Sequence, residues 1–570
     1  MKINKIFPIF SLVVSSLLVA QKSMPHLETK GTAVQLIVDN KPFLVLGGEL
    51  GNSSASSAAD IETYFPKLEK MKLNTVLVPV SWDLIEPKQG EFDFKTIDKA
   101  IDQARKNHLK IVLLWFGAWK NSMSCYAPLW FKKDDKKYPR AYTKAGKPQE
   151  IASAFSEDVF NADHNVYTQL LKHIAAVDQS ENTVIMIQIE NEIGMLENAR
   201  DYSKAANSSF NSKVPESLMK YLIKNKKSLH PSLVEKWGKE GFKTTGNWKE
   251  IFGDDIFTEE YFTAYHYGLY VEKLAKTSRS IYNVPLFANA AMNSRSRLPG
   301  QYPSGGPLAH LIDLWHAAAP SIDLLAPDLY DGDYANWVAK YRLHNNPLFV
   351  PEVKMTINNG VQAFYSFGEH DAIGYSPFSI ENNSDAGSER LASAYSKLKQ
   401  LTPILTKYQG EGFSKGLLFD QKNTERILKF DDLQITARHY YTLPWDPKAK
   451  DGSIWPEGGG LILRLAKDEY LIAGSGVVIE FEKELEKKQI VAKNLGEDGF
   501  VAQGGADQKQ NAWYGGKRAG IGTVDEISIN DDGSFTFIRR LNGDQTHQGR
   551  HVRIGVEEFQ ILHVKLYEYQ

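Results

Sequence analysis

The sequence predicts a (β/α)8 barrel followed by a C-terminal antiparallel β-sandwich. Eight apolar runs, each ending in polar or aromatic residues, are separated by longer segments, several of them amphipathic. Alternation of apolar strands with helices indicates a parallel sheet, and eight such units are typical of a closed barrel. Past roughly Gln409 the pattern changes to short runs with period-two alternation and tight turns, which favours antiparallel strands.

The predicted barrel covers residues 30–408. Its eight strands are expected at 43–49, 74–82, 110–116, 183–192, 284–290, 322–330, 347–353 and 372–378. Stretches between them, such as "IETYFPKLEKMK" and "FKTIDKAIDQARKNH", repeat apolar residues at spacings of three and four, as amphipathic helices do. The longest insertion, 195–282, is helix-rich and follows the fourth strand, so we expect it at the barrel mouth.

The β-sandwich is predicted over residues 411–570. Two hairpins are expected in this part of the chain, one turning near Lys467-Asp468 and one on Asp532-Gly533.

Composition and the N-terminus restrict the partners. Residues 1–20 combine two lysines with an apolar run and resemble a secretory signal peptide, so we expect export to the periplasm or medium and no membrane insertion after cleavage. The 67 basic and 69 acidic residues nearly balance, which gives no electrostatic reason to expect nucleic acid. Cys125 is the only cysteine, which excludes an intramolecular disulfide, and we expect a buried, inert thiol.

Two glutamates stand at predicted strand ends. Glu192 ends the fourth strand, in "TVIMIQIENE", and Glu352 ends the seventh, in "PLFVPEVK". Because the carboxyl ends of all barrel strands meet at one mouth, we expect the two side chains to face each other there. Two facing carboxyl groups are the apparatus of glycosidic bond cleavage, in which one protonates the departing oxygen and the other attacks or activates water.

Other candidate substrate-binding residues lie near the same ends. The Asn191 amide would hold a sugar hydroxyl, and aromatic rings stack on pyranose faces, although core packing is the more common role for any single ring. The aromatic candidates are Trp82, Trp115, Trp119, Tyr330 and Phe378. No H-E-x-x-H motif or G-x-S-x-G elbow occurs, so we predict neither a metal site nor a serine hydrolase, and no cofactor.

Two motifs resemble the family-thirty-five β-galactosidases. "QIENEIG" is similar to their acid/base motif, and "LNTVLVPVSWDLIEPKQGEFDF" to their second-strand signature; the likeness covers roughly residues 40–570. With "GGELGNSSAS" and "LLWFGAWKN", the chain most resembles the bacterial branch that carries a C-terminal β-rich domain of undefined function. The resemblance implies a retaining, exo-acting enzyme with Glu192 as acid/base and Glu352 as nucleophile. It also implies that Asn191 contacts the 2-hydroxyl and that Tyr330 bonds the nucleophile or the sugar.

The chain departs from that family at two places. Better-known members have a tyrosine where Pro79 stands, and a glutamate near the position of Gly117. We expect Glu49 and Asn52, in the first loop, to hold the sugar instead, unless the sugar is not galactose. The alternative for Glu49 is a buried acid that caps the loop.

The sequence therefore predicts a carbohydrate as substrate and the release of terminal, non-reducing β-D-galactosyl residues from oligosaccharides or plant-type glycans. Three alternatives stay open: an exo-glycosidase for another β-linked sugar, an endo-β-glycanase, and a non-catalytic carbohydrate-binding protein. The sequence makes no prediction of the oligomeric state.

Overall fold

The computed structural model describes residues 23–342, 346–483 and 517–569, together with the backbone of two short strands, Lys488–Gln489 and Ala512–Trp513. The predicted signal peptide lies outside these residues. No helix in the described part of the chain is both long and apolar enough to span a membrane.

Eight parallel strands close into a barrel in sequential order. They are β1 (Val45–Glu49), β2 (Thr75–Ser81), β3 (Lys110–Lys120), β4 (Val184–Asn191), β5 (Leu286–Ala291), β6 (Leu324–Leu329), β7 (Phe349–Val353) and β8 (Gly374–Pro377). Each predicted strand is present, and the fold class is confirmed. The largest difference is in β3, which continues to Lys120, past the expected end at residue 116.

A separate apolar cluster fills the barrel interior, with Leu77, Val112, Leu114 and Phe349 among its members. Because side chains alternate along a strand, the residues between these point outward, into the larger core shared with the helices. Packing on both faces explains why the strands have no polar alternation in the sequence.

Helices cover the outside of the barrel and the mouth. Outside the long insertion they are Ala58–Lys70, Trp82–Ile85, Lys95–Lys106, Leu129–Lys133, Glu157–Asp178, Ile312–Ala318, Tyr334–Tyr341, Asn359–His370 and Asp385–Tyr408. Those between β4 and β5 are Lys204–Asn211, Glu216–Asn225, Pro231–Lys239, Trp248–Phe252 and Ile256–Ile281. The last of these brings Tyr267 and Tyr270 against Trp119 near the end of β3, with ring centroids 5.7 and 4.7 Å away.

Two antiparallel sheets share a second core after the barrel. The six-stranded sheet has the order Ser414–Phe419, Gly458–Ala466, Glu469–Ser475, Gln560–Tyr569, Arg518–Ile529, Phe535–Arg540, and the four-stranded sheet the order Glu425–Phe430, Leu433–His439, Val477–Lys483, Val552–Ile554. Both predicted hairpins turn where expected. Smaller sheets are formed by His26–Lys30, Ala33–Val38 and Lys41–Phe43, and by Arg140–Tyr142 with Pro148–Ala152.

The six-stranded sheet packs directly on the barrel. Gly368, on the helix after β7, is so close to the sheet that an added Cβ would lie 2.6 Å from Leu461 Cβ. Nearby, Arg426 forms an ion pair with Glu369 at 2.9 Å. The sandwich thus braces the side of the barrel that carries β7, the strand of Glu352.

Candidate active site

Glu192 follows the last residue of β4 and is held by its backbone as well as its side chain. Its φ of 45° lies in the left-handed region, which costs energy for a residue other than glycine and is concentrated at functional sites. Its N–H donates to Asn289 Oδ1 at 2.9 Å, and its Oε2 accepts from Asn121 Nδ2. Asn289 in turn donates to Asp328 Oδ2 at 2.6 Å. The β5 asparagine therefore ties Glu192 to a carboxyl group of β6.

Glu352 lies on β7, where it is paired in register with Asp328 of β6. The Tyr330 hydroxyl donates to Glu352 Oε1, while Oε2 is buried and has no hydrogen-bond partner among the described residues. Glu192 and Glu352 are each only 4% exposed. Both candidate glutamates are therefore buried at the same mouth.

The surroundings of the two glutamates separate their protonation. Burial and the charge of Glu352 raise the pKa of Glu192 to about 7, against the opposing effect of Lys120. Burial also raises the pKa of Glu352, but Lys120 and the Tyr330 hydrogen bond both favour its ionised form. Of these two glutamates, Glu192 is therefore the one whose protonated form its surroundings favour, and Glu352 the one with groups that stabilise its ionised form.

Several buried polar atoms at the mouth have no hydrogen-bond partner among the described residues. They are Glu49 Oε1, Asn52 Oδ1, Gln188 Nε2, both side-chain atoms of Asn191, Asp328 Oδ1 and Glu352 Oε2. Trp119 Nε1 is likewise buried without a described partner, although its ring packs on Tyr267 and Tyr270 of the insertion. Buried polar groups are normally satisfied because an unmade hydrogen bond costs roughly 1–3 kcal/mol. The unpartnered atoms include both hydrogen-bond donors and acceptors, and a ligand with several hydroxyl groups can satisfy both because each hydroxyl donates and accepts.

The first loop contributes an acid to the same mouth. Glu49, at the end of β1, is 1% exposed, and burial followed by the charge of Glu352 raises its pKa well above the ordinary value. The loop is held by Glu381, which accepts from Gly51 N at 3.1 Å and from Ser54 Oγ at 2.5 Å. The loop is therefore capped by Glu381, which leaves Glu49 Oε1 without a described partner.

Phe378 and Tyr330 form an aromatic edge at the mouth. Their ring centroids lie 6.2 Å apart in a T-shaped arrangement, and Phe378 is paired with Glu49 through an isolated bridge. Tyr330 is 41% exposed, so its ring is accessible from the solvent.

Trp82 and Trp115 do not join this group. Trp82 donates to Glu86 Oε2 at 2.9 Å and packs on Phe131. Trp115 points outward from β3 and donates to Asp163 Oδ1, at 3.1 Å, on the helix Glu157–Asp178. Both rings belong to the core between strands and helices, which favours the packing role over substrate binding for these two residues.

Sequence reasoning missed three polar residues, Lys120, Asn289 and Asp328. Each is at most 4% exposed and stands in the last part of a barrel strand. A charged or amide residue inside an apolar strand-end run was the available signal, in "LLWFGAWKN", "VPLFANA" and "IDLLAPDLY". Cys125 also differs from expectation, because its thiol is exposed.

A (β/α)8 barrel with opposed buried carboxyl groups at the strand ends is an architecture of glycoside hydrolases. Residues 54–264 match the family model described as Beta-galactosidase, that of glycoside hydrolase family 42, which indicates a glycoside hydrolase domain. Residues 391–553 match a second model, described as Domain of unknown function (DUF5597). The model match thus supports the β-galactosidase type, whereas the assignment to family thirty-five stays a prediction.

Several proteins similar to this chain are β-galactosidases. One from Xanthomonas manihotis is 32% identical over 95 residues, which cover 16% of this chain and 15% of that protein. Solved β-galactosidases from Marinomonas ef1 and Bacillus circulans sp. alkalophilus are 13% and 14% identical, with TM-scores of 0.44 and 0.43. The matches cover 63% and 64% of this chain, and 60% and 57% of those chains. At these values the structural likeness adds no argument to the sequence match.

Proposed function

We propose that this protein is a retaining, exo-acting β-galactosidase that releases terminal, non-reducing β-D-galactosyl residues from oligosaccharides or plant-type glycans. The observation that carries the proposal is the pairing of Glu192 and Glu352 in one buried mouth with different hydrogen-bond partners. Of the two, Glu352 accepts from a tyrosine hydroxyl, while burial and the charge of Glu352 raise the pKa of Glu192 to about 7. These are the properties of a nucleophile and of an acid/base, respectively.

Each glutamate has a defined step in the proposed reaction. Glu192 Oε donates its proton to the glycosidic oxygen as the C1–O bond breaks, and a Glu352 oxygen forms the ester bond to C1. Ester formation removes the negative charge of Glu352, which had raised the pKa of Glu192. Glu192, which lost its proton in the first step and no longer faces a charged Glu352, stays ionised and accepts a proton from water. The water oxygen attacks C1, the ester bond breaks, and the sugar and ionised Glu352 are released while Glu192 is protonated again.

The glutamate that other family-thirty-five members carry cannot stand at Gly117. A Cβ there would lie 2.3 Å from Trp115 Nε1 and 2.6 Å from Glu190 Oε1, so the space is already filled. The second departure, Pro79, is two residues after the inward-facing Leu77 and offers no polar group on the inner face of β2. The unpartnered atoms of Glu49 and Asn52 are our candidates for binding the sugar hydroxyls.

The test is hydrolysis of a panel of 4-nitrophenyl β-glycosides: galactoside, glucoside, mannoside, xyloside, fucoside and glucuronide. We expect the galactoside to dominate and Glu352→Ala to abolish release, measured as 4-nitrophenol absorbance. Dominance of another sugar would leave the mechanism in place and refute galactose specificity. No release from any glycoside would refute the exo-glycosidase and favour an endo-acting or non-catalytic protein.

We also propose membership of family thirty-five and export from the cytoplasm. The first is supported by the motifs "QIENEIG" and "LNTVLVPVSWDLIEPKQGEFDF", and the second by the charge and apolar pattern of residues 1–20. N-terminal sequencing of the protein recovered from culture medium or periplasm is the check on export, since it should begin just after Ala20.

A further inference from the structure

Lys120 is a buried cation at the mouth for which the proposed mechanism has no step. It is the last residue of β3 and lies opposite Asn191 of β4, after a register shift that separates it from the regular pairing at Trp115. It is 4% exposed, and its Nζ lies 5.1 Å from the ring centroid of Phe116. The side chain is thus packed among strand ends instead of extending into solvent.

The Lys120 ammonium has charged neighbours but no direct partner. Its Nζ makes neither a hydrogen bond nor an ion pair with any described residue, although neighbouring acids act on it from several strands. Those acids are Glu352 of β7, Glu192 after β4, Glu49 of β1 and Asp328 of β6. Burial lowers the pKa of Lys120, but their charges outweigh that effect and raise it.

Lys120 Nζ is not among the buried unpartnered side-chain atoms of the described residues, so the head of this otherwise buried side chain is open to the mouth, where its three N–H donors can reach a ligand. The nearby Glu49 Oε1 and Asn191 amide are also unpartnered. Together they offer donors and acceptors of the kind that a neutral sugar hydroxyl satisfies at once. A sugar carrying its own carboxylate would instead meet four acidic groups.

We propose that Lys120 is a specificity-determining residue that donates a hydrogen bond to one ring hydroxyl of a neutral terminal sugar. The inference rests on the proposed glycosidase function and deepens it. In this role Lys120 replaces the galactose-binding tyrosine and glutamate of better-known family members, which this chain lacks because it has Pro79 and Gly117 instead.

The test combines the Lys120→Met substitution with removal of single hydroxyl groups from the substrate, in the manner of a double-mutant cycle. Wild-type protein and K120M are assayed with 4-nitrophenyl β-galactoside, or the sugar that wins the panel, and with its 2-, 3-, 4- and 6-deoxy analogues. We expect K120M to lower kcat/KM for the parent glycoside about 100-fold, because a charged donor to a buried hydroxyl is lost. For one deoxy analogue alone, wild type and K120M should differ less than tenfold, since the hydroxyl that Lys120 binds is absent.

A matched control is available on the same strand. Lys110 begins β3 at the opposite end of the barrel and pairs with Asp39 at 2.9 Å. Lys110→Met should leave every ratio between sugars unchanged. If K120M does not unfold cooperatively, Lys120→Gln is used in the same cycle with a smaller expected loss, because it removes the charge but keeps a neutral donor.

The outcomes separate this inference from the proposed function. Equal losses for K120M with the parent and all four deoxy analogues would overturn the role of Lys120 and leave the glycosidase intact. A wild-type protein that hydrolyses none of the panel would overturn both proposals. Loss of the 100-fold effect at a single deoxy position would support the inference and identify the hydroxyl.

Discussion

Two groups of buried carboxyl side chains lie near the end of β4, one behind the barrel wall and one at the mouth. Behind the wall, Glu190 accepts from the backbone N–H groups of Trp119 at 2.8 Å and Ala118 at 3.3 Å. Its neighbour Asp163 accepts from Trp115 at 3.1 Å and from Tyr270 at 2.7 Å. Burial raises the pKa of both acids, yet neither has a buried oxygen without a partner.

The mouth differs from this pair in hydrogen bonding, not in burial. Glu49, Asp328 and Glu352 each leave one buried oxygen unpartnered among the described residues, and burial raises the pKa of all three. A raised pKa is therefore shared by a structural pair and a candidate active site. What distinguishes the candidate active site from the structural pair is a set of unsatisfied buried atoms that converge on one space.

The largest effect is expected from Glu352→Ala. The variant should lose at least about four orders of magnitude in kcat, because no group remains to form the ester. Azide should then restore turnover with an activated aryl glycoside by entering the space of the carboxylate, and the product should be the α-glycosyl azide, identified by NMR. A β-glycosyl azide would contradict both the retaining mechanism and the nucleophile.

A smaller and substrate-dependent loss is expected from Glu192→Ala. Poor leaving groups need protonation, so kcat/KM for an alkyl galactoside should fall about 1000-fold, while a dinitrophenyl galactoside should lose far less in the glycosylation step. The wild-type kcat/KM should decline as pH rises through about 7, because the acid form of Glu192 is lost there. The variant should lack this decline.

The matched control for both glutamates is Glu190→Gln. This side chain lies two residues from Glu192 and is already bonded to the backbone of β3. We expect kcat/KM to stay within about tenfold of wild type and the decline near pH 7 to persist. Loss of the decline in this variant would reassign it from Glu192 to the pair behind the wall.

The sequence predicted the eight strands and the two glutamates for one physical reason. Parallel strands that are buried on both faces have continuous apolar sequences, so an acidic residue at the end of such a run stands out. Glu192 and Glu352 stand at such ends. Their approach follows from barrel closure, which needs no knowledge of side-chain contacts.

Because both faces of these strands are buried, the sequence pattern does not show which aromatic rings face the barrel interior. In "IVLLWF" every residue is apolar, so the run does not distinguish Phe116, in the barrel interior, from Trp115, in the outer core. Lys120 was missed for another reason. The register shift in β3 carries the strand four residues past the predicted end, and no local pattern predicts such a bulge.

The smallest effect is expected from substitutions of Trp119 and Trp115, two tryptophans of β3 whose roles the sequence does not distinguish. Trp119 Nε1 is buried without a described partner, so we expect it to donate to the ligand and expect Trp119→Phe to lower kcat/KM about tenfold. Trp115→Phe removes a bond to Asp163 instead, and should lower the free energy of unfolding by about 1–3 kcal/mol while kcat/KM stays unchanged. Kinetics and urea unfolding of both variants measure this. Equal effects on catalysis would mean that the wall and the mouth act as one unit, because both tryptophans border Glu190 through Gly117 and the backbone of β3.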